Sequence, residues 1–259
     1  MTRLPAELAS PVSALRARRP DLEFSLHWRE VVTSTMDVAG ALATDPALPL
    51  PIVIADAQTA GRGRRGRTWE SPPGAGLYLS LVWGQAVMAT LPLLTLAAGI
   101  GVREGIAAAT GLAPEVKWPN DLMVGRRKLA GLLAEGVALG SPEQSVIVGV
   151  GVNLMPAAYP PEVAARATSL EGELGRGVDR GAVMCEVISA LIDRLAGLSR
   201  DPGGILQAWR AASPSAIGTR VEWEDKRGVT AGVDDSGALL VKTNDGIERI
   251  IAGELHWHW

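Results

Sequence analysis

Between Thr59 and Ser80 the chain reads TAGRGRRGRTWESPPGAGLYLS, and its first half suits neither a helix nor a core strand. Gly61, Gly63 and Gly66 are interleaved with Arg62, Arg64, Arg65 and Arg67, so a backbone free to take positive φ carries a dense set of planar, permanently charged donors. Such a segment makes poor core and a good anion clamp. Its arginines repel one another and its glycines impose no conformation, which predicts a loop that moves when empty and orders around a phosphate-bearing ligand. The Gly-x-Gly-x-x-Gly spacing matches the dinucleotide fingerprint literally, yet that fingerprint has to open a helix and meet an acidic residue about 20 positions later. Trp69, Pro72, Pro73, Gly74 and Gly76 follow instead, and Leu81 to Met88 holds no acid. A dinucleotide site of that type is excluded, while a solvated basic loop or a nucleic-acid patch stays open from this stretch alone.

Charge over the whole chain narrows that alternative. The net charge of -3 means that the basic loop is outweighed elsewhere, so the chain does not read as a general nucleic-acid binder. At 259 residues with 47% hydrophobic content there is enough apolar surface for one large domain, or one domain and a small companion. Cys185 is the single cysteine, which rules out internal disulfides and thiolate metal clusters, and His27, His256 and His258 are too scattered to suggest a metal site. Arg16, Arg18 and Arg19 stand near the start without an apolar stretch beside them, and no later run reads as long enough to span a bilayer. The expectation is a cytoplasmic protein with no membrane partner.

Taken in order, the chain opens on a short helix or an arm up to Pro20 and then alternates as a strand from Glu23 to Val32. Ser34 and Thr35 offer an N-cap to a helical pattern from Met36 to Ala43. Pro51 to Ala57 is a buried-type strand that delivers Gln58 and the arginine loop at its end. Leu77 to Trp83 is the next strand, and an apolar helix from Pro92 to Thr110 follows it. Further on, EVKWPNDLMVGRRKLAGLLAE predicts a hairpin that turns through Val124 to Lys128, with strands through Leu122 and Met123 and from Leu129 to Ala134. It gathers Lys117, Asn120, Asp121 and Lys128. Taken alone, that stretch reads as exposed lysines and an Asn-Asp turn pair. Beside the arginine loop it offers something more: two basic clusters and one isolated carboxylate suit the activation of an acid by a nucleotide. The cations hold phosphates and offset developing charge, and the carboxylate offers a place for magnesium. SVIVGVGVNL, from Ser145 to Leu154, is a strand in which Gly149 and Gly151 mark the close approach of a ligand or another backbone. Asn153, at its end, suits an adenine edge or a turn cap equally.

In register, Ser34-Thr35, Gln58 with TAGRGRRGRTW, SPPGAGLYLSL, KWPND, KLAGLLAE and GVGVN resemble the bacterial biotin protein ligases, also called biotin–[acetyl-CoA-carboxylase] ligases. Each motif is weak singly, and together they span nearly the whole chain. The resemblance implies an α+β fold: a mixed β-sheet flanked by helices, similar to class II aminoacyl-tRNA synthetases and lipoate ligases, plus a small C-terminal SH3-like barrel. It implies ATP and biotin as substrates, Mg2+ as cofactor, biotinyl-5′-AMP as intermediate and a lysine of a biotin carboxyl carrier protein as acceptor. By motif position, Ser34, Thr35, Gln58, Gly61, Arg62, Arg64, Lys128 and Gly131 would face biotin. Arg64, Arg67, Trp69, Lys117, Asn120, Asp121, Lys128 and Asn153 would face ATP, with Trp69 covering the adenine. Arg64, Lys117 and Lys128 would be catalytic, and Asp121 would hold magnesium. A lipoate-type ligase is the alternative of the same chemistry. Met36 departs from the family, which often has Asn there. The segment before the first strand is too short for the winged helix-turn-helix of longer members, so no operator binding is expected. A strand edge is available for homodimerisation.

Beyond the motifs, apolar residues return every three or four positions from Arg180 to Leu198, giving a core-facing helix with Cys185 as a small buried side chain, and Gly203 to Ser213 is a second helix. After Pro214 come brief strands at Thr219 to Trp223, Gly228 to Val233, Leu239 to Thr243 and Gly246 to Ile251, turning at Asp235-Ser236-Gly237 and Asn244-Asp245-Gly246. The predicted division is 1–213 for the catalytic domain and 214–259 for the barrel, which is marginal alone and should lean on its neighbour. His256, Trp257, His258 and Trp259 read as a strand end packing on that barrel rather than as a metal or aromatic site.

Overall fold

Strand β7 (Ser145–Asn153) alternates Val146, Val148, Val150 and Val152 with Ile147, Gly149 and Gly151, and that alternation defines the two faces of the main sheet. In the computed structural model, which describes residues 4–45, 47–84, 91–138, 144–253 and 255–258, seven strands lie in the order β1-β2-β3-β7-β6-β5-β4. These are β1 (Ser25–Val32), β2 (Pro51–Gln58), β3 (Gly76–Gly84), β4 (Glu115–Lys117), β5 (Asp121–Val124), β6 (Arg127–Val137) and β7. The sheet is mixed: β1 pairs with β2 in parallel and every other neighbour is antiparallel. A parallel pair needs a crossover, and the short helix α2 (Thr35–Leu42) supplies it.

The valine face of β7 joins Ile52, Ile54, Leu77, Leu79, Leu81 and Leu132 in the principal core. Helices α1 (Ala6–Arg18), α3 (Leu91–Thr110), α5 (Arg180–Gly197) and α6 (Pro202–Ala212) cover it. Helix α1 settles the opening segment as a helix, with Leu8, Val12 and Leu15 buried. The glycine face carries α2, whose Met36 and Ala39 pack with Val53, Val82 and Ile147 in a smaller core and leave the rest of that face for a cleft.

Helix α3 corrects one expectation. Its 20 residues are long and apolar enough, by length and composition, to cross a membrane. They are consumed by the core instead, because α3 crosses α5 with almost no gap: a Cβ on Gly101 would stand 2.7 Å from Leu191 Cα, and one on Gly105 would overlap the backbone of Val187. Between those helices and the sheet, Arg180 at the start of α5 donates to Asp56 and to the carbonyl of Ala55 (3.0 Å), anchoring the helix to β2. Cys185 is buried on α5, and burial pushes its thiol up to about 12, so it serves as packing.

The short helix α4 (Leu170–Leu174) precedes α5, and beyond α6 lies a second, antiparallel sheet in the order β11-β10-β9-β8-β12. It comprises β8 (Ile217–Trp223), β9 (Lys226–Val233), β10 (Leu239–Thr243), β11 (Gly246–Ile250) and β12 (His256–His258), the meander expected of the SH3-like unit. Both expected turns are present, with Gly237 at φ 84° and Gly246 at φ 132°, where a side chain would be strained. The unit does lean on its neighbour. Trp118 Nε1 donates to the carbonyl of Gly237 (3.0 Å), Arg210 Nη2 to that of Val233 (2.9 Å), and Gly237 sits against Leu93 and Leu96 of α3. Trp259 lies outside the described residues.

Candidate active site

One cross-strand row organises the cleft. Lys117 pairs with Asp121, Asp121 with Gly131, Gly131 with Gly151, and Gly151 with Tyr78. Paired residues of an antiparallel sheet point to the same face, so the hairpin's ammonium and carboxylate flank two positions that have no side chain. With Gly149 two residues along β7, these glycines form a floor. What approaches that floor most closely is side chain. A Cβ on Gly149 would stand 2.9 Å from Met36 Sδ, one on Gly131 would be 3.0 Å from Trp69 Cζ3, and one on Gly151 would overlap the Trp69 indole.

The arginine loop forms a small hairpin over this floor. Arg62 bridges to Thr68, Gly63 N–H donates to Arg67 O (2.7 Å), and the tip turns through Arg65 and Gly66, both left-handed at φ 57° and 72°. Gly61 is buried in its stem, where any Cβ would collide with the carbonyl of Trp69. The resulting cavity of ≈ 300 Å³ is lined by Ser34, Thr35, Gln58, Arg62, Arg64, Arg67, Trp69, Lys117, Asn120, Asp121, Lys128 and Gly131, among others. Two expected site residues stand outside its lining. Gly61 shapes the loop stem, and Asn153, 4% exposed, sends its amide Nδ2 to the carbonyl of Thr168 (2.9 Å).

At one end the polar groups are neutral. Gln58 Oε1 accepts from the Thr35 N–H (2.8 Å), the Thr35 hydroxyl (3.2 Å) and the Ser34 hydroxyl (3.4 Å), while its Nε2 donates to Ser71 Oγ (2.7 Å). Ser34 also caps α2, its hydroxyl accepting from Met36 N–H at 3.3 Å, so the same residue starts the helix and faces the cleft. Thr35 Oγ1 lies 2.8 Å from Ser80 Oγ. Ser71 and Ser80 complete this network and escaped the sequence reading, although a serine at a buried position of the apolar run LYLSLV was a visible signal.

At the other end the groups are charged. Lys128 Nζ pairs with Asp121 Oδ1 at 2.6 Å and stands 5.3 Å from the centre of the Trp69 ring. Lys117 Nζ stands 5.2 Å from the centre of the Trp257 ring. Burial lowers the pKa of Lys117, with Asp121 opposing that shift and Lys128 adding to it. Burial also lowers that of Arg64, helped by Arg65 and opposed by Asp121. Arg62 lies on the exposed rim, within ion-pair distance of Asp37 (3.2 Å) and Glu135 (3.4 Å). Asn120 is turned to structure: its amide donates to the carbonyl of Leu132, and Leu132 N–H returns a bond to Asn120 O at 2.9 Å. Gly253, Leu255 and Trp257 complete the wall from the C-terminal sheet, a contribution that no spacing in the sequence announced.

The sequence pattern of the biotin/lipoate A/B protein ligase family matches residues 28–153, and that of the biotin protein ligase C-terminal domain matches residues 217–255. The bifunctional ligase/repressor BirA of Bacillus subtilis is 34% identical over 238 residues, covering 89% of this chain and 73% of its own. This chain belongs to the biotin protein ligase family. Among other members, the biotin–[acetyl-CoA-carboxylase] ligase of Mycobacterium tuberculosis is 32% identical over 255 residues, 88% of this chain and 89% of its own. The biotin protein ligase of Aquifex aeolicus, solved in complex with biotin and ATP, superimposes with a TM-score of 0.78 at 28% identity, over 90% of this chain and 98% of the other. The mixed sheet with its helices and the C-terminal antiparallel sheet are therefore the architecture of that family.

Proposed function

We propose that this protein activates biotin with ATP and passes the acyl group to one lysine of a biotin carboxyl carrier protein. The observation that carries the reading is the cleft itself: a neutral hydrogen-bonding end and a cationic end on one glycine floor, beneath an arginine loop. Ser34, Thr35 and Gln58 offer the mixed donors and acceptors that a ureido ring needs, and Arg62, Gly61 and Gly131 shape that end. Arg64, Arg67, Lys117 and Lys128 gather around the place where a carboxylate meets a triphosphate. The lipoate alternative gives way, because the C-terminal match is to biotin protein ligases and the relatives above are named for biotin.

The cleft supplies positioning and charge rather than a covalent nucleophile. A carboxylate oxygen of biotin attacks the α-phosphorus of ATP, the bond to the pyrophosphate oxygen breaks, and pyrophosphate leaves with that electron pair. The neutral amine of the acceptor lysine then attacks the acyl carbon, AMP departs, and the amide nitrogen sheds a proton. Lys128 and Arg64 offset charge on the transferring oxygens, and Lys117 holds phosphate. Trp69 provides an aromatic wall for the adenine. Asn153 acts from behind, since its amide also reaches toward the Lys128 carbonyl at 3.5 Å. Closure of the arginine loop keeps water from the mixed anhydride until the acceptor arrives.

Among the described residues of the lining Asp121 is the one carboxylate, which suits Mg2+, an ion commonly held by one or two carboxylates together with substrate phosphates and water. Bound there, it would neutralise phosphate charge during transfer. We take residues 1–213 as the catalytic unit and 214–259 as its companion, and the cytoplasm as the place of work. Pairing of two copies through an outer sheet edge belongs to the same proposal, with sedimentation in the presence of ATP and biotin as its check.

Incubation with ATP, biotin and the carrier domain of a biotin-dependent carboxylase tests the function. One biotin added to one lysine, absent when that lysine is replaced by arginine, is the expected mass-spectrometric result. An unmodified carrier would refute the transfer.

A further inference from the structure

Both lysines of the charged end stand over indoles, and the two indoles come from segments far apart in sequence. Lys128 faces Trp69 of the arginine loop, whereas Lys117 faces Trp257 of β12. Resting on the function proposed above, we propose that Trp257 is a positioning residue for adenylation: its ring fixes the Lys117 ammonium toward the nucleotide phosphates, so the site is incomplete without the C-terminal sheet.

Lys117 ends the short edge strand β4, in register with Asp121 of β5. A long, flexible side chain at such a place needs a second surface to hold its direction. Asp121 is already 2.6 Å from Lys128, so that carboxylate is shared, and it and the Lys128 ammonium are among the charges facing Lys117. The indole supplies a surface of the right kind, negative on its face and without a carboxylate's preference for one hydrogen-bonding geometry. Trp257 is itself held in place. Its backbone pairs with Val221 of β8, its ring packs against the principal core, and it lines the same cavity as Lys117. The carbonyl of Gly237 accepts from Trp118, the residue next to Lys117, so one unit grips both sides of this lysine.

The test is a double-mutant cycle of Trp257→Leu and Lys117→Met, read by biotin-dependent ATP–pyrophosphate exchange and by calorimetric binding of ATP and of biotin. Trp257→Leu should raise KM for ATP about fivefold, the scale of one cation–π contact, with biotin affinity held and Trp257→Phe close to wild type. In the Lys117→Met background Trp257→Leu should add nothing further. Proton NMR gives a readout independent of activity: the Lys117 methylene signals, displaced by the ring current in wild type, should return toward ordinary positions in Trp257→Leu. Additive losses in the cycle, an equal loss of biotin affinity, or unmoved methylene signals would overturn the proposal. A wild-type protein without biotin-dependent exchange would refute the parent function instead, while the NMR comparison would still decide whether the ring holds the lysine.

Discussion

Lys128 Nζ lies 2.6 Å from Asp121 Oδ1, across the neighbouring strands β5 and β6 of the main sheet. The pair presets the ammonium beside the glycine floor before any substrate enters, so no rearrangement of that cation is required during phosphoryl transfer. Lys128→Ala should therefore lower the rate of adenylate formation by about a hundredfold, about 3 kcal/mol of transition-state stabilisation, with the melting temperature little changed. Pyrophosphate exchange on a variant shown to be folded checks it, and near wild-type exchange would remove Lys128 from the chemistry.

The glycine floor exists to receive Trp69. Gly151→Ala would push a methyl group into the indole, unseating the loop while leaving the valine face of β7 intact. Loss of kcat/KM by about tenfold to a hundredfold is the expected outcome, since small misplacements of a closing element are costly. Unaltered kinetics in the folded variant would show that Trp69 has no part in the working site.

Arg64 is partly buried in the cavity wall, on the loop that covers it. Arg64→Gly should weaken both the charge and the closure, releasing adenylate that labels lysines of any nearby protein. Mass spectrometry of serum albumin added as a bystander measures this. An active variant that leaves the albumin unlabelled contradicts the shielding role.

Burial holds the Lys117 pKa below its ordinary value of 10.5. Below the lowered value Lys117 is a cation that grips phosphate, and above it the grip is lost, so the alkaline limb of kcat/KM for ATP should fall below pH 10.5. Lys117→Arg should carry that limb to higher pH, because a guanidinium stays protonated. A limb unmoved by the substitution would assign it to another group.

Gly105 of α3 rests on the backbone of Val187 in α5. Gly105→Ala gains helix propensity yet forces these helices apart, and overpacking of this kind costs about 1–3 kcal/mol. Urea titration followed by circular dichroism should show a lowered midpoint. A raised midpoint would mean that the crossing gives way at little cost.

Much of this was legible in the residues because the signals were local. The alternation in SVIVGVGVNL marked a strand with one stripped face, and the turn glycines of the C-terminal sheet marked its hairpins. What fills the stripped face was not legible, since Trp69 and Met36 arrive there from a loop and a helix distant in sequence. Gly149 and Gly151 were read as room for a ligand or a backbone, and they hold side chains. Trp257 was read as packing alone, since only the tertiary fold sets it over Lys117. Asn153 resembled a base-reading amide, while its actual partner, the carbonyl of Thr168, lies in a connection that carried no motif. Helix α3 was the opposite case, where composition matched a membrane span and two glycines committed it to the core.

ATP–pyrophosphate exchange, measured with biotin, with lipoate and with neither, reaches furthest into the site. Exchange with biotin alone, lost in Lys128→Ala, is the expected result. Exchange that is absent with biotin, equal with lipoate, or indifferent to Lys128 would contradict the reading of this cleft as the place where biotin is adenylated.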